Sequence, residues 1–156
     1  MCFVCGENND FGLHAKFYET DDNQLVALIN PSEQHQGYPG RMHGGIAATI
    51  LDETIARSIC IGKPEQIWGV TLEFKTRFRK PVALGVELKV VGRVISEGSR
   101  AFDGSGEIIL PDGEIAVSAE GKYMKMKINK IAGEELLDDD WFFSKDNDDP
   151  SEIEIP

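Results

Sequence analysis

With 156 residues, 41% of them hydrophobic, the chain is long enough to close one domain around a real core. It contains no run of about 18 apolar residues and opens on no basic-then-apolar leader, so neither a membrane span nor secretion is indicated and a cytoplasmic protein is expected. The net charge of −11 is unevenly placed: residues 129–156 hold ten acids against two lysines, a net of −8, which leaves −3 on the first 128 residues and no basic surface broad enough to bind nucleic acid.

The chain opens with a Cys-x-x-Cys, Cys2-Phe3-Val4-Cys5-Gly6. A structural zinc needs four ligands and no second pair follows at suitable spacing; a redox pair needs a strand before it and a helix after it. Neither a metal nor a redox role is expected of the pair, and three cysteines make no disulfide framework. From Leu13 to Ile29 the pattern predicts two strands joined by a turn at Asp21-Asp22-Asn23, with Leu25–Ile29 buried and Asn30-Pro31-Ser32 ending it. The next stretch, Glu33-Gln34-His35-Gln36-Gly37-Tyr38-Pro39, reads as a polar loop able to line a pocket.

Everything after this loop is organised around Gly40-Arg41-Met42-His43-Gly44-Gly45-Ile46 and the apolar run beyond it. Ile46, Ala47, Ile50, Leu51, Ile55, Ala56 and Ile59 recur at helical spacings over nearly the whole circumference, so the helix must be wrapped by something. Its start carries no Ser, Thr, Asp or Asn at positions 43–45 to accept the first N–H groups, and glycine lets another molecule approach closely. Open donors at a positive dipole end suit a polarised carbonyl or an oxyanion. Asp52, on the same helix, is costly unless paired, hydrated or working. Glu53 points about 100° away around the helix and is expected to pair with Arg57. Cys60 falls where a reduced core thiol is natural, and Gly62-Lys63-Pro64 ends the region.

Strands dominate the second half of the chain. Alternation over Val70–Arg79 predicts one strand, with Val70, Leu72, Phe74 and Phe78 toward the core and Thr71, Glu73, Lys75, Arg77 and Arg79 away from it, ending at Lys80-Pro81. Residues 85–96, 100–110 and 114–127 complete three more, separated by turns at Glu97-Gly98 and Pro111-Asp112-Gly113. Gly104 and Gly106 suggest a bend or bulge. The sum is an α+β domain over residues 1–128: a hairpin, one long central helix and four further antiparallel strands rolled around it.

The run His43-Gly44-Gly45-Ile46-Ala47-Ala48-Thr49-Ile50-Leu51-Asp52 resembles the signature of hotdog-fold acyl-CoA thioesterases of the phenylacetate-degradation type, with Thr49 one place later than the usual pattern. The resemblance covers residues 1–128, Cys-x-x-Cys-Gly openings included. It implies a hotdog fold whose sheets pair in a dimer, and thioester hydrolysis in which the Gly44 amide polarises the carbonyl, Asp52 acts as general base or nucleophile, and His43 orients the loop. Ten residues before Pro81, Thr71 matches the family position that helps hold the attacking water. A side-chain amide or acid often stands six residues before the motif histidine; here that position is Gly37, and the neighbouring Gln36 is the substitute. Coenzyme A, part of the substrate rather than a cofactor, would meet Arg77 and Arg79 on the strand and Gly98, Ser99 and Arg100 in the turn, since arginine offers phosphate a bidentate fork.

Helix rise adds a constraint of its own. Gly44 and Asp52, eight residues apart, are separated by about 12 Å along the axis, yet each must come within about 3 Å of the reacting carbonyl group. The site is therefore expected to span an interface, with Gly44 from one copy and Asp52 from another, in a homodimer or homotetramer. Two other readings are an acyl-CoA-binding module without turnover and a hotdog enoyl-CoA hydratase or dehydratase, for which His35 and Asp52 are the acid–base candidates. The tail, residues 129–156, is expected to hold a short helix over Ile131–Leu137, an aromatic triplet Trp141-Phe142-Phe143 able to dock on the body, and a disordered acidic end over Asp146–Pro156.

Overall fold

The structure is a computed structural model that describes residues 1–63, 67–132, 149–150 and 152–155. A hairpin of β1 (Lys16–Glu19) and β2 (Leu25–Ile29) leads through a 3₁₀ turn at Glu33–His35 into two short strands, β3 (Gln36–Tyr38) and β4 (Arg41–Met42). The helix α1 (Gly44–Arg57) follows, continued by a 3₁₀ turn at Ser58–Cys60. Four long strands come next, β5 (Ile67–Phe78), β6 (Leu88–Glu97), β7 (Ala101–Ile109) and β8 (Ile115–Lys127), and then a short helix α2 (Ile128–Ala132). The main sheet is antiparallel in the order β1-β2-β6-β7-β8-β5, with β1 and β5 at its edges. No helix among the described residues is long and apolar enough to cross a membrane.

The sheet wraps α1 because α1 is apolar where it faces the strands. Ala47, Ile50, Leu51 and Ile55 are buried there, with Val90, Phe102, Ile108, Val117 and Tyr123 closing over them, and each large aliphatic side chain so buried contributes about 1.5–3 kcal/mol. Gly104 and Gly106 on β7 mark close approach of the helix: a Cβ at either position would fall 2.4 Å and 2.9 Å from Ile55 atoms. The bulge expected near them lies on the facing strand β6, between Val94 and Ser96, with a further irregularity on β8, where Ala116 is the extra residue opposite Ile108/Ile109.

Two features depart from the expected pattern. Residues 36–42, read as loop, form the β3–β4 hairpin, all of whose β3 residues are exposed and so show no hydrophobic alternation. More consequential is β5. Its register against β8 shifts between Thr71 and Glu73, leaving Leu72 as an extra residue. A bulge reverses the parity of the strand, so Thr71 faces α1 before it and Phe74 after it, while Leu72 is 50% exposed. The expected inward set is corrected accordingly: Val70 and Leu72 turn out, Thr71 turns in, and Phe78 lies on the helix side at the open end of the sheet, 53% exposed.

At the C-terminal end, α2 begins three residues before the expected helix, and the remainder of that helix, with Trp141-Phe142-Phe143, lies outside the described residues. Asp149–Pro150 and 152–155 hold no helix or strand. They are nevertheless not the loose end expected from composition, because Ile153 and Ile155 pack on the sheet's outer face against Val26, Val91 and Ile109. Cys2, Cys5 and Cys60 are free thiols. Burial pushes Cys5 and Cys60 up to about 11, and they serve as local bonding partners: Arg57 Nη2 donates to Cys5 Sγ at 3.1 Å and Cys60 Sγ donates to the Ile67 carbonyl at 2.9 Å.

Candidate functional site

The start of α1 is built by two histidines. His43 is the N-cap residue, extended at φ −64° and ψ 134°, and its Nδ1 accepts from the Gly45 N–H at 2.9 Å. The expectation that nothing at positions 43–45 would accept a first-turn donor is thus corrected: the imidazole does what Ser or Asp does in most caps. Among the described residues no acceptor takes the Gly44 N–H, so one donor stands open at the positive end of a 14-residue helix. The Phe78 ring lies alongside, 3.4 Å from where a Gly44 Cβ would be. His43 N–H in turn donates to the His35 carbonyl at 2.8 Å.

His35 is buried rather than free in a loop. Its Nδ1 accepts from the Ser32 N–H at 2.9 Å, which leaves the proton on Nε2 to be donated to the Phe11 carbonyl at 3.2 Å. Both ring nitrogens are taken, so His35 supports the helix start from behind and is not placed as the acid–base partner that a hydratase would need. Gln36 is exposed on the hairpin, where its Oε1 accepts from the Gly40 N–H at 2.7 Å and holds the turn before the helix.

Asp52 sits two turns further along α1, half-buried. The Thr71 hydroxyl lies 2.9 Å from Oδ1 and 3.1 Å from Oδ2, and the Tyr123 hydroxyl donates to Oδ1 at 3.2 Å. Burial raises the Asp52 carboxyl above its ordinary range, and the two hydroxyl bonds oppose that rise without cancelling it. Tyr123 is fully buried and stacked on Phe102 with ring centroids 5.0 Å apart. Burial and the Asp52 charge push its phenol up, which keeps it a donor. Glu53 turns aside to Arg57 at 2.6 Å, as its position on the helix requires.

Tyr123 escaped the sequence reading. The signal was present: Val117, Ala119, Gly121 and Tyr123 form the inward row of β8, and a tyrosine in such a row needs a partner for its hydroxyl. The only carboxylate on the facing helix row is Asp52.

The residues matched to coenzyme A divide into two groups at opposite ends of the sheet. Arg77 and Arg79 stand on the outer side of β5 near Val117 and Ser118, where Arg79 Nη1 donates to Ser118 Oγ at 2.5 Å, and neighbouring Lys80 pairs with Glu114. Gly98, Ser99 and Arg100 form the exposed β6–β7 turn beside Lys125, whose N–H donates to the Arg100 carbonyl. Lys63 and Lys125, not singled out in the sequence, converge on Glu97 next to that turn at 2.8 and 2.9 Å, and their hydrogen bonds hold the Glu97 carboxyl below its ordinary range. Among the described residues no three His, Cys, Asp or Glu gather as a metal site.

The comparisons with known proteins agree with this architecture. A family model described as "Thioesterase superfamily" matches residues 39–117, from the β3–β4 hairpin into β8. Acyl-coenzyme A thioesterase 13 of Mus musculus is 24% identical over 78 residues, 48% of this chain and 53% of the mouse protein. The chain spans about half the length of the curated relatives it matches. Among solved structures, a thioesterase superfamily protein is 28% identical with a TM-score of 0.71, covering 77% of this chain and 61% of its own. A Bacillus halodurans protein solved with CoA has the same fold at 21% identity and a TM-score of 0.65, over 74% of this chain and 76% of its own.

Proposed function

We propose that this chain, which belongs to the thioesterase superfamily and has its hotdog fold, hydrolyses the thioester of an acyl-coenzyme A at sites shared between two copies. The observation that carries the reading is a pair of groups on one helix: the open Gly44 N–H at the start of α1 and the half-buried Asp52 carboxylate held by Thr71 and Tyr123. Because α1 runs antiparallel to β5, Gly44 lies by Phe78 and Asp52 by Thr71. β5 is an edge strand. Two copies joined antiparallel through that edge, about a two-fold axis, set the Gly44 end of one beside the Asp52 end of the other. The same operation carries Arg77 and Arg79 of one copy toward the end of the sheet where the other's Gly98–Arg100 turn, Lys63 and Lys125 gather.

In this reading the carbonyl oxygen of the thioester accepts from the Gly44 N–H, and the helix end stabilises the negative charge that develops there. Asp52 of the other copy takes a proton from water as the water oxygen bonds to the carbonyl carbon. The tetrahedral oxyanion then collapses, the C–S bond breaks, and coenzyme A leaves as a thiolate that takes up the proton. Direct attack by Asp52, giving a mixed anhydride that water then opens, uses the same geometry. In a single turnover in ¹⁸O-water, label in the Asp52 carboxylate marks direct attack with water opening the anhydride at the Asp52 carbonyl, an outcome that general-base attack cannot give. A carboxyl raised by burial is the stronger base near neutral pH.

The test is free-thiol release from short, medium, long and aromatic acyl-CoAs, the aromatic ones first because the motif resembles the phenylacetate-degradation type. Wild type and Asp52→Asn are run side by side. Turnover that falls at least about 100-fold in the variant supports the assignment. Equal background in both overturns it and leaves acyl-CoA binding without turnover to be measured by affinity.

A further inference from the structure

The outer face of a sheet that covers a helix on its other side is ordinarily left to water, with polar side chains on that face. Here part of it is apolar. Val26 on β2 and Val91 on β6 are paired in register, both wholly buried, and Ile109 on β7 lies beside them with 6% exposure, Leu28 adding to the patch. The chain's own last residues bury them. Ile153 and Ile155, spaced so that an extended segment presents both to one side, pack on this patch. Polar contacts tie the same segment down at both ends: Tyr18 Oη donates to Asp149 Oδ1 at 2.9 Å, and Lys89 Nζ donates to the Glu154 carbonyl at 2.5 Å.

We propose that the segment Asp149–Ile155 is a built-in cover for a self-association face, and that it stops two sheets from packing outer face to outer face. Three features of the molecule agree on this. The patch is a continuous apolar area on a β surface, the kind that two identical sheets bury against each other when exposed. The cover is chemically matched to it, with two isoleucines for the patch and the Glu154 carbonyl for the Lys89 ammonium at its margin. It is also tethered, through residues 133–148, to the domain it covers, so its effective concentration at the patch is set by the chain and not by the solution. A second copy therefore competes at a disadvantage while the segment is present. Of the two assemblies the sequence allowed, the dimer is the state of the whole chain, and the tetramer is the state the tail prevents.

The experiment compares molar mass by sedimentation velocity for the whole chain, for a chain ending at residue 148, and for the whole chain carrying Ile153→Ser and Ile155→Ser. The last variant touches no residue of the sheet, so it reports even if the shortened chain folds poorly. Both variants are expected to double in mass, to return to the starting mass with Val91→Glu added, and the shortened chain to return also on adding a peptide of residues 149–156. Unchanged mass in both variants overturns the proposal. A fall in mass overturns it as well, since it would make the segment an element exchanged between copies.

Discussion

A carboxylate on the half-buried face of α1 survives because two hydroxyls meet it, and each can be removed by a one-atom change. Replacing Tyr123 by Phe deletes the bond to Asp52 Oδ1 and leaves Thr71 in place. That bond favours the charged carboxylate, so its loss raises the Asp52 carboxyl further, and the acid limb of the kcat/KM profile is expected to move to higher pH while the plateau falls little. A tyrosine that served only packing would leave the limb where it was. Asp52→Asn is expected to abolish turnover and yet stabilise the protein at neutral pH. The sign follows from burial: the folded state holds the Asp52 proton more tightly than the unfolded chain does, so the protonated acid favours folding, and that contribution is lost as pH rises through the raised folded value. Asparagine does not titrate, so its melting temperature should exceed the wild type's at pH 7 and the gap should close on acidification. Asp52 and Gly44 were legible as anomalies, an acid where none belongs and a helix start without a conventional cap. The second hydroxyl was not, because it comes from a strand 71 residues away that no local pattern connects to the helix.

The helix start offers a cleaner deletion than most enzymes allow. Gly44 is the first helical residue, where proline is tolerated because its missing N–H has no partner inside the helix, and His43 already has the extended backbone that a residue before proline prefers. Gly44→Pro should therefore keep the fold, with circular dichroism unchanged, while kcat/KM drops about 10²–10³-fold through loss of one carbonyl donor. His43→Ala acts on the same element by stability, costing about 0.5–2 kcal/mol in denaturant unfolding as the acceptor for Gly45 N–H goes. The helix and the four long strands could be read from periodicity because packing against a single core imposes it. The Leu72 bulge could not, since alternation from Val70 to Phe78 runs on without a break in the sequence, and only the ladder with β8 reveals that the strand changes face. That one residue also decides the site, because an unbulged strand would turn either Thr71 or Phe74 away from α1. The β3–β4 hairpin was invisible for a different reason: with β3 exposed on both faces, no burial constrains its side chains.

At the scale of the assembly, the proposed sharing of the site makes a prediction that no single chain can satisfy. Gly44→Pro and Asp52→Asn proteins, each inactive alone, should regain about a quarter of wild-type activity after their subunits are exchanged, since half the pairs are hybrids and each hybrid has one intact site of two. Recovery of nothing would place both groups in one chain's site and remove the interface from the mechanism. Net charge was readable as a division between a balanced body and an acidic tail, but the use of the tail was not, because two isoleucines among acids look like any polar appendage until the face beneath them is known. The sheet's two edges are unequal in a way that bears on this. β5 runs for 12 residues with Leu72 exposed beside the ladder, whereas β1 has only 4. In the language of polymer chemistry the proposed pairing makes the chain a monofunctional monomer: coupling through β5 would consume its one reactive end, and what remains at β1 is too short to add another unit. Such a monomer stops at pairs and never grows into a ribbon.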